Sequence, residues 1–218
     1  EACIYRNLIW TQNSYYRAYF EWLPVKGAVS YKLFHKVNGK TFSATVNDVK
    51  ALMSMNSASY LPCDEHQYYV NAYDAAGKVI DTSTTITFRL VPDALVIESI
   101  EYDYANTTAL TWSGGLGAEK IAIYRSENLS DDGERIAEVT ADTNAEALHY
   151  YDKVYKGKTY YYSLLPIAID HNGEPVEGKP VKYDKILTFP EAAIIETAQY
   201  TEESGVNLAW KEAKGAEG

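Results

Sequence analysis

The chain has 218 residues and 30 acidic against 20 basic side chains, a net charge of −10 at pH 7. That balance speaks against nucleic acid or an anionic membrane surface as partner, because both are held by clustered Lys and Arg, and the densest basic stretch, KVYKGK at 153–158, is short. No apolar run approaches the roughly 18 residues of a membrane span, so no membrane insertion is expected, and 13 Gly and 7 Pro leave no segment of disordered composition.

The chain opens on Glu1 without a basic-then-apolar leader, so the expectation is that any signal peptide has been removed or that this is an internal fragment. Apolar residues then recur with period two, the mark of half-buried strands. KLF at 32–34, TITF at 85–88, TALTW at 108–112 and IAIY at 121–124 all alternate. VKALMSM at 49–55 has helical spacing but is too short to stand as a helix. Turn signals fall between these runs at Asn38-Gly39, Asp74-Ala-Ala-Gly77, Asp131-Asp132-Gly133 and Asn172-Gly173. Asn-Gly and Asp-Gly suit hairpins because they accept positive φ. For the second half the predicted strands are 96–102, 107–113, 119–126, 134–140, 146–151, 158–168 and 180–188. Many short strands with closely spaced turns predict an all-β sandwich. Twenty Tyr against five Phe predict a core whose rings keep a polar handle.

One phrase recurs. Trp-x4-Gly-Ala occurs at Trp22–Ala28, Trp112–Ala118 and Trp210–Ala216. TFRLVPDALVIE at 87–98 and TFPEAAIIE at 188–196 repeat as well, with Pro92 and Pro190 at the same 98-residue offset as Trp112 and Trp210. Spacings of this size mean whole domains rather than solenoid repeats of about 20–50 residues. The expected division is 1–91, 92–189 and a remnant, 190–218, that holds only the first strands of a third unit. With no Gly/Ser-rich spacer between them, the units are expected to be joined stiffly.

The pattern resembles tandem fibronectin type III domains, immunoglobulin-like sandwiches. The tryptophan of strand B with its following Gly-Ala carries part of the resemblance. DKVYKGKTYYYSLLP at 152–166 carries more, being similar to that family's corner followed by strand F, with Val154, Lys156 and Gly157 in place and Tyr160 as the corner tyrosine. YLPCDEHQYYVNAYDAAGK at 60–78 is the matching piece of the first unit, with His66 where the tyrosine would stand and Cys63 where the glycine would. The Tyr-rich strand F and the Asp-Ala-Ala-Gly turn resemble bacterial members. The resemblance implies a structural core of Trp22, Trp112, Trp210, His66 and Tyr160. His66 is expected to cap its corner with a ring N–H, less deeply than a tyrosine. Tyr160, Tyr162 and Leu164 are expected to point inward, and Tyr161, Ser163 and Leu165 outward. Cys3 would precede strand A and Cys63 lie at the opposite end of the sandwich, so the two sulfurs are not expected to bridge.

Signals for chemistry are sparse. His35, His149 and His171 are expected at the surface, and no close His pair of metal-ligand spacing occurs. No nucleophile elbow, phosphate loop or dinucleotide glycine pattern is present. Asp131-Asp132 and Glu202-Glu203 are turn neighbours that face apart, not acid/base pairs. Asp170, Asn172 and Glu174 offer oxygens but not in the spacing of a calcium loop, so neither cofactor nor metal is expected. Asn106 and Asn128 begin glycosylation sequons, relevant only in a host that uses them. The expected partner face is the outer side of the C–F–G sheet, with Tyr69, Tyr73 and Tyr161 exposed; β-strands also accept exposed Tyr without function.

Two functions remain open on these grounds. One is a non-catalytic structural module, a semi-rigid spacer or stalk in a larger exported or cell-surface protein. The other is an adhesin fragment that recognises a protein or glycan through loops or the tyrosine face. Enzymatic activity is not expected. The 190–218 remnant is expected to cover its apolar side against the second unit, a neighbouring chain or another copy of itself.

Overall fold

The computed structural model describes residues 8–14, 16–103, 107–141, 148–155, 157–183, 187–188, 191–211 and 213. Among them are strands and no helix. They fall into two compact units, the first Glu1–Asp93 with Leu116–Glu119 and Ile167–Lys179, the second Ala94–Gly115, Lys120–Pro166 and Pro180–Gly218. Expectations that rest on Cys3, Asn106, Lys156 or Pro190 lie outside the described residues.

In the first unit the strands are β1 (Ile9–Ser14), β2 (Arg17–Glu21), β3 (Ser30–Val37), β4 (Lys40–Val46), β5 (Lys50–Ser54), β6 (His66–Tyr73), β7 (Val79–Thr82) and β8 (Ile86–Phe88). One sheet runs β1-β2-β5, the other β4-β3-β6-β7 with β8 also on β6. The two-residue turn Asn38-Gly39 closes β3 onto β4 with φ of 49° and 71°, the positive values such hairpins require. Strict alternation then decides what is buried: Tyr31, Leu33, His35 and Val37 from β3, and His66, Tyr68, Val70 and Ala72 from β6. Of these, Tyr31, Leu33, Tyr68, Val70 and Ala72 pack with Phe20, Trp22, Met55 and Leu90. The Trp22 ring meets Tyr31 edge-on at 5.7 Å, and the Tyr31 hydroxyl accepts the Val25 N–H at 3.0 Å. Residues 49–55, with their helical spacing, contain strand β5; pairing with β2 overrides local propensity.

Further along the chain follow β9 (Leu95–Asp103), β10 (Thr107–Gly114), β11 (Lys120–Ser126), β12 (Glu134–Thr140), β13 (Leu148–Lys153), β14 (Thr159–Ile169), β15 (Pro175–Glu177), β16 (Val181–Lys182), β17 (Leu187–Thr188), β18 (Ile194–Thr201) and β19 (Gly205–Lys211). All are in the second unit except β15 and the last three residues of β14, which fall in the first. The sheets are β13-β10-β9 and β12-β11-β14-β15, with β16 and β17 also on β14. Trp112 is 0% exposed and sits among Leu110, Ile121, Ile123, Tyr160, Tyr162 and Leu164. The single strand expected at 180–188 is observed as two short pieces, β16 and β17, and a further short strand, β15, precedes them. Ser163 and Leu165, expected outward, are buried. A small cleft lined by Ser126, Leu129, Asp131, Ser163 and Lys182 lies outside Ser163.

β18 and β19 form a two-stranded sheet of their own. Trp210, expected in the core, is 62% exposed. Among the described residues no sheet faces this hairpin, and none of the described side chains of β18 or β19 is buried.

Candidate functional site

The corner ahead of β6 is built around histidines. His66 Nε2 lies 2.9 Å from the Leu61 carbonyl and 3.2 Å from that of Pro62. Both partners only accept, so Nε2 carries the proton and Nδ1 is left as an acceptor. His35 Nε2 stands 2.8 Å from that Nδ1 and donates to it. His35 was expected at the surface; period two from Leu33 to Val37 puts it in the core instead, 3% exposed. His66 was expected to sit shallower than a corner tyrosine and is fully buried. The His35 ring stacks on Tyr68 at 4.3 Å and meets Tyr60 edge-on at 4.7 Å. Burial, and the neighbouring His66, hold the His35 pKa down to about 3. Burial also lowers His66, against the upward pull of the Leu61 and Pro62 carbonyls and the Asp64 carboxylate. Both rings are neutral near pH 7.

Asp64, buried beside this pair, organises the rim. Its carboxylate accepts the Leu61 N–H at 2.8 Å, the His171 N–H at 3.0 Å, Asn38 Nδ2 at 2.7 Å and His171 Nδ1 at 2.9 Å. Burial alone would raise its pKa; these donors win and hold it at about 2. Asp170 is arranged alike. One oxygen takes the backbone N–H groups of Asn172 and Glu174 and the other takes Arg89 at 3.0 Å. The Asp170 oxygens, weighed among the calcium donors, are therefore spent on a turn and an ion pair. Cys63 is buried, with its Sγ 3.3 Å from the Ile169 carbonyl.

These anchors leave a polar cleft of about 550 Å³ in the first unit, lined by Lys36, Lys40, Gln67, Arg89, His171 and Asn172, with Glu65 its one carboxylate. Lys36 and Gln67 continue the lining onto the outer face of β3, β4 and β6. The pairing register sets that face in rows: Thr41, Lys36 and Gln67; then Ser43, Phe34 and Tyr69; then Thr45, Lys32 and Asn71. Phe34 and Tyr69 stack at 4.7 Å with planes 2° apart. Lys32 Nζ lies 5.5 Å from the Phe34 centroid and Lys36 Nζ 5.3 Å from that of Tyr69, within cation–π range.

Of the residues singled out for a partner face, Tyr69 and Tyr73 lie partly exposed on this side of β6, whereas Tyr161 lies on β14 in the second unit. Tyr160, the second residue of β14, reaches back to the corner that precedes the strand, its hydroxyl accepting the Tyr155 N–H at 3.4 Å under the Arg125 guanidinium, 5.0 Å from the ring. Asp152 fixes that side by accepting from Arg125 at 2.8 Å and the Tyr162 hydroxyl at 2.7 Å. His149 is exposed, edge-on to Tyr151 at 5.7 Å. Phe34, the lysines and the cleft were missed by sequence reasoning. Alternation alone assigns Lys32, Phe34 and Lys36 to one face, but only the fold brings Arg89 and His171 to Lys36.

No family model and no curated protein matches the chain. Solved structures do. A two-domain fibronectin type III segment of chicken tenascin is similar over 84% of this chain and 98% of its own, at 16% identity and a TM-score of 0.52. The FN1–FN3 domains of chicken CNTN1 match 86% of this chain and 68% of their own, at 12% identity and a TM-score of 0.35. The fold is all-β, of the fibronectin type III, immunoglobulin-like kind.

Proposed function

We propose that this chain is a non-catalytic recognition module of a larger exported or cell-surface protein, with the outer face of β3, β4 and β6 as its contact surface. In this reading it divides at 91/92 and 189/190 into two fibronectin type III-like domains and the first strands of a third. The observation that carries it is the ordered run Lys32–Phe34–Tyr69–Lys36, in which stacked rings hold two cations in place beside a cleft. A plain spacer needs neither, and a binder needs both a patch and a concavity. The histidines support a non-catalytic role, because His35 and His66 satisfy each other internally. A spacing role is compatible with it, since β8 ends at Phe88 and β9 begins at Leu95.

The test is binding of the purified chain to a panel of extracellular-matrix proteins and glycans. A saturable ligand lost in Tyr69→Ala, at unchanged melting temperature, supports the reading. A panel without any ligand, or one whose ligand ignores both Tyr69→Ala and Phe34→Ala, overturns it.

A further inference from the structure

The cleft and its flanking face narrow the ligand class, and this step rests on the recognition reading above. We infer that the ligand is an acidic saccharide, a chain of sugar units carrying carboxylate or sulfate groups. Three observations carry this.

The first is charge. In a protein of net charge −10, the described lining and the adjoining rows present Lys32, Lys36 and Lys40, with Arg89 already paired to Asp170, against Glu65 alone. The neighbouring carboxylates, Asp64 and Asp170, are turned inward and answered by N–H donors, so they structure the site without lining it. Lys32 and Lys36, four residues apart on one strand, stand about 13 Å apart. Their separation suits anions spaced along an extended chain better than one compact phosphate.

The second is the rest of the lining. Gln67, Asn172, Asn38 and Thr41 supply amides and a hydroxyl, which donate and accept at once, as sugar hydroxyls demand. A hydrophobic peptide anchor finds no apolar pocket here, whereas hot spots at protein interfaces are buried aromatic or Arg anchors.

The third is rigidity. The Asn38-Gly39 turn is tied to Asp64, His171 to the same carboxylate, and Arg89 to Asp170. A site whose donors are already held loses little ordering entropy on binding. Nucleic acid, the other extended polyanion, offers fewer hydroxyls for the amides of Gln67, Asn38 and Asn172 to meet, and its binding is one of the outcomes tested below.

The experiment titrates the full chain at low salt with oligogalacturonate and with a heparin hexasaccharide. Maltohexaose, polyglutamate and a thymidine oligonucleotide serve as comparisons. Saturable binding to at least one of the two acidic saccharides is expected, weakened by added salt. Which of the two binds tells carboxylate from sulfate. Lys36→Ala and Lys40→Ala should each weaken it roughly tenfold or more, the loss of one charge-assisted contact. Lys78→Ala, on the β6–β7 turn, should leave it unchanged, and all three melting temperatures should stay put. Equal binding of maltohexaose removes the acidic requirement and overturns the inference. So does equal or tighter binding of polyglutamate or of the oligonucleotide. A protein ligand lost in Tyr69→Ala, with neither acidic saccharide bound, sinks the inference and leaves the recognition reading standing. No ligand of any kind sinks both.

Discussion

At the scale of the residue, the His35–His66 hydrogen bond works only while both rings are neutral. The groups facing the pair are Tyr60, Tyr68, Asp64 and Arg89, and among them only Asp64 would favour a charged ring. His35 falls from an ordinary 6.5 to about 3 in the fold. A base with a depressed folded pKa binds more protons when unfolded, so it stabilises above about 6.5 and that stability drains as pH falls towards 3. The slope is about 1.4 kcal/mol per pH unit for each histidine so held. Asp64 acts in a lower window. Its carboxyl drops from 3.8 to about 2, so its contribution is present above 3.8 and lost as pH falls through 2. Urea midpoints measured from pH 7 to pH 4 should therefore fall steeply, in a range where the carboxylate is still ionised. In His35→Phe the slope should be shallower by one proton. A flat profile in the parent chain would contradict the neutral pair.

At the scale of the element, the same residue type has different worth in different strands. Trp112 in β10 is fully buried between two sheets, and Trp112→Ala should cost about 3–5 kcal/mol. Trp210 in β19 occupies the equivalent place in the repeat, yet no sheet among the described residues faces it, so at concentrations low enough to keep the chain monomeric Trp210→Ala should stay within about 0.5 kcal/mol. Urea denaturation of the two variants side by side checks the contrast. Gly133, in the β11–β12 connection, is a backbone case. Its φ is +82°, and an added Cβ would sit 2.6 Å from the Arg125 carbonyl oxygen. Gly133→Ala should then destabilise by about 1–3 kcal/mol, whereas at Gly39, with open space around it, only the strain of its φ would be felt. These contrasts show what the sequence could say. Alternation and turn residues made β3, β6, β10 and β14 legible, because period two is written locally. The exposure of Trp210 was not legible, because burial depends on whether a second sheet faces the strand. The cleft was hidden for a related reason: Lys36, Arg89 and His171 are far apart in the chain, and no local pattern links them. His35 was legible and overlooked, since its own strand alternates around it.

At the scale of the whole molecule, the β18–β19 hairpin stands out. Its register pairs Ile195 with Trp210, Ala198 with Leu208 and Tyr200 with Val206. Paired residues share a face, and the register shift between Ile195 and Thr197 keeps Ile195 on the side of Ala198 and Tyr200. These six therefore lie on one face, and all are exposed. Asn207, Gln199, Thr197 and Thr201 take the other face. Two strands alone are marginal in water, and an uncovered apolar patch together with unpaired strand edges invites association. A second copy is the occupant always present in a pure solution. Its hairpin offers the same apolar residues and the same edges, so a two-fold, self-complementary contact closes without further specificity. The chain is therefore expected to sediment as a concentration-dependent dimer at micromolar loading. In the double variant Leu208→Lys, Trp210→Lys, like charges would face each other across the same contact, and the chain should sediment as a monomer. Its melting temperature, extrapolated to low concentration, should be unchanged, because neither side chain is buried within the chain. A parent chain that is monomeric at every concentration would mean that no second copy covers this face. A dimer that survives both lysines would place the contact elsewhere on the surface.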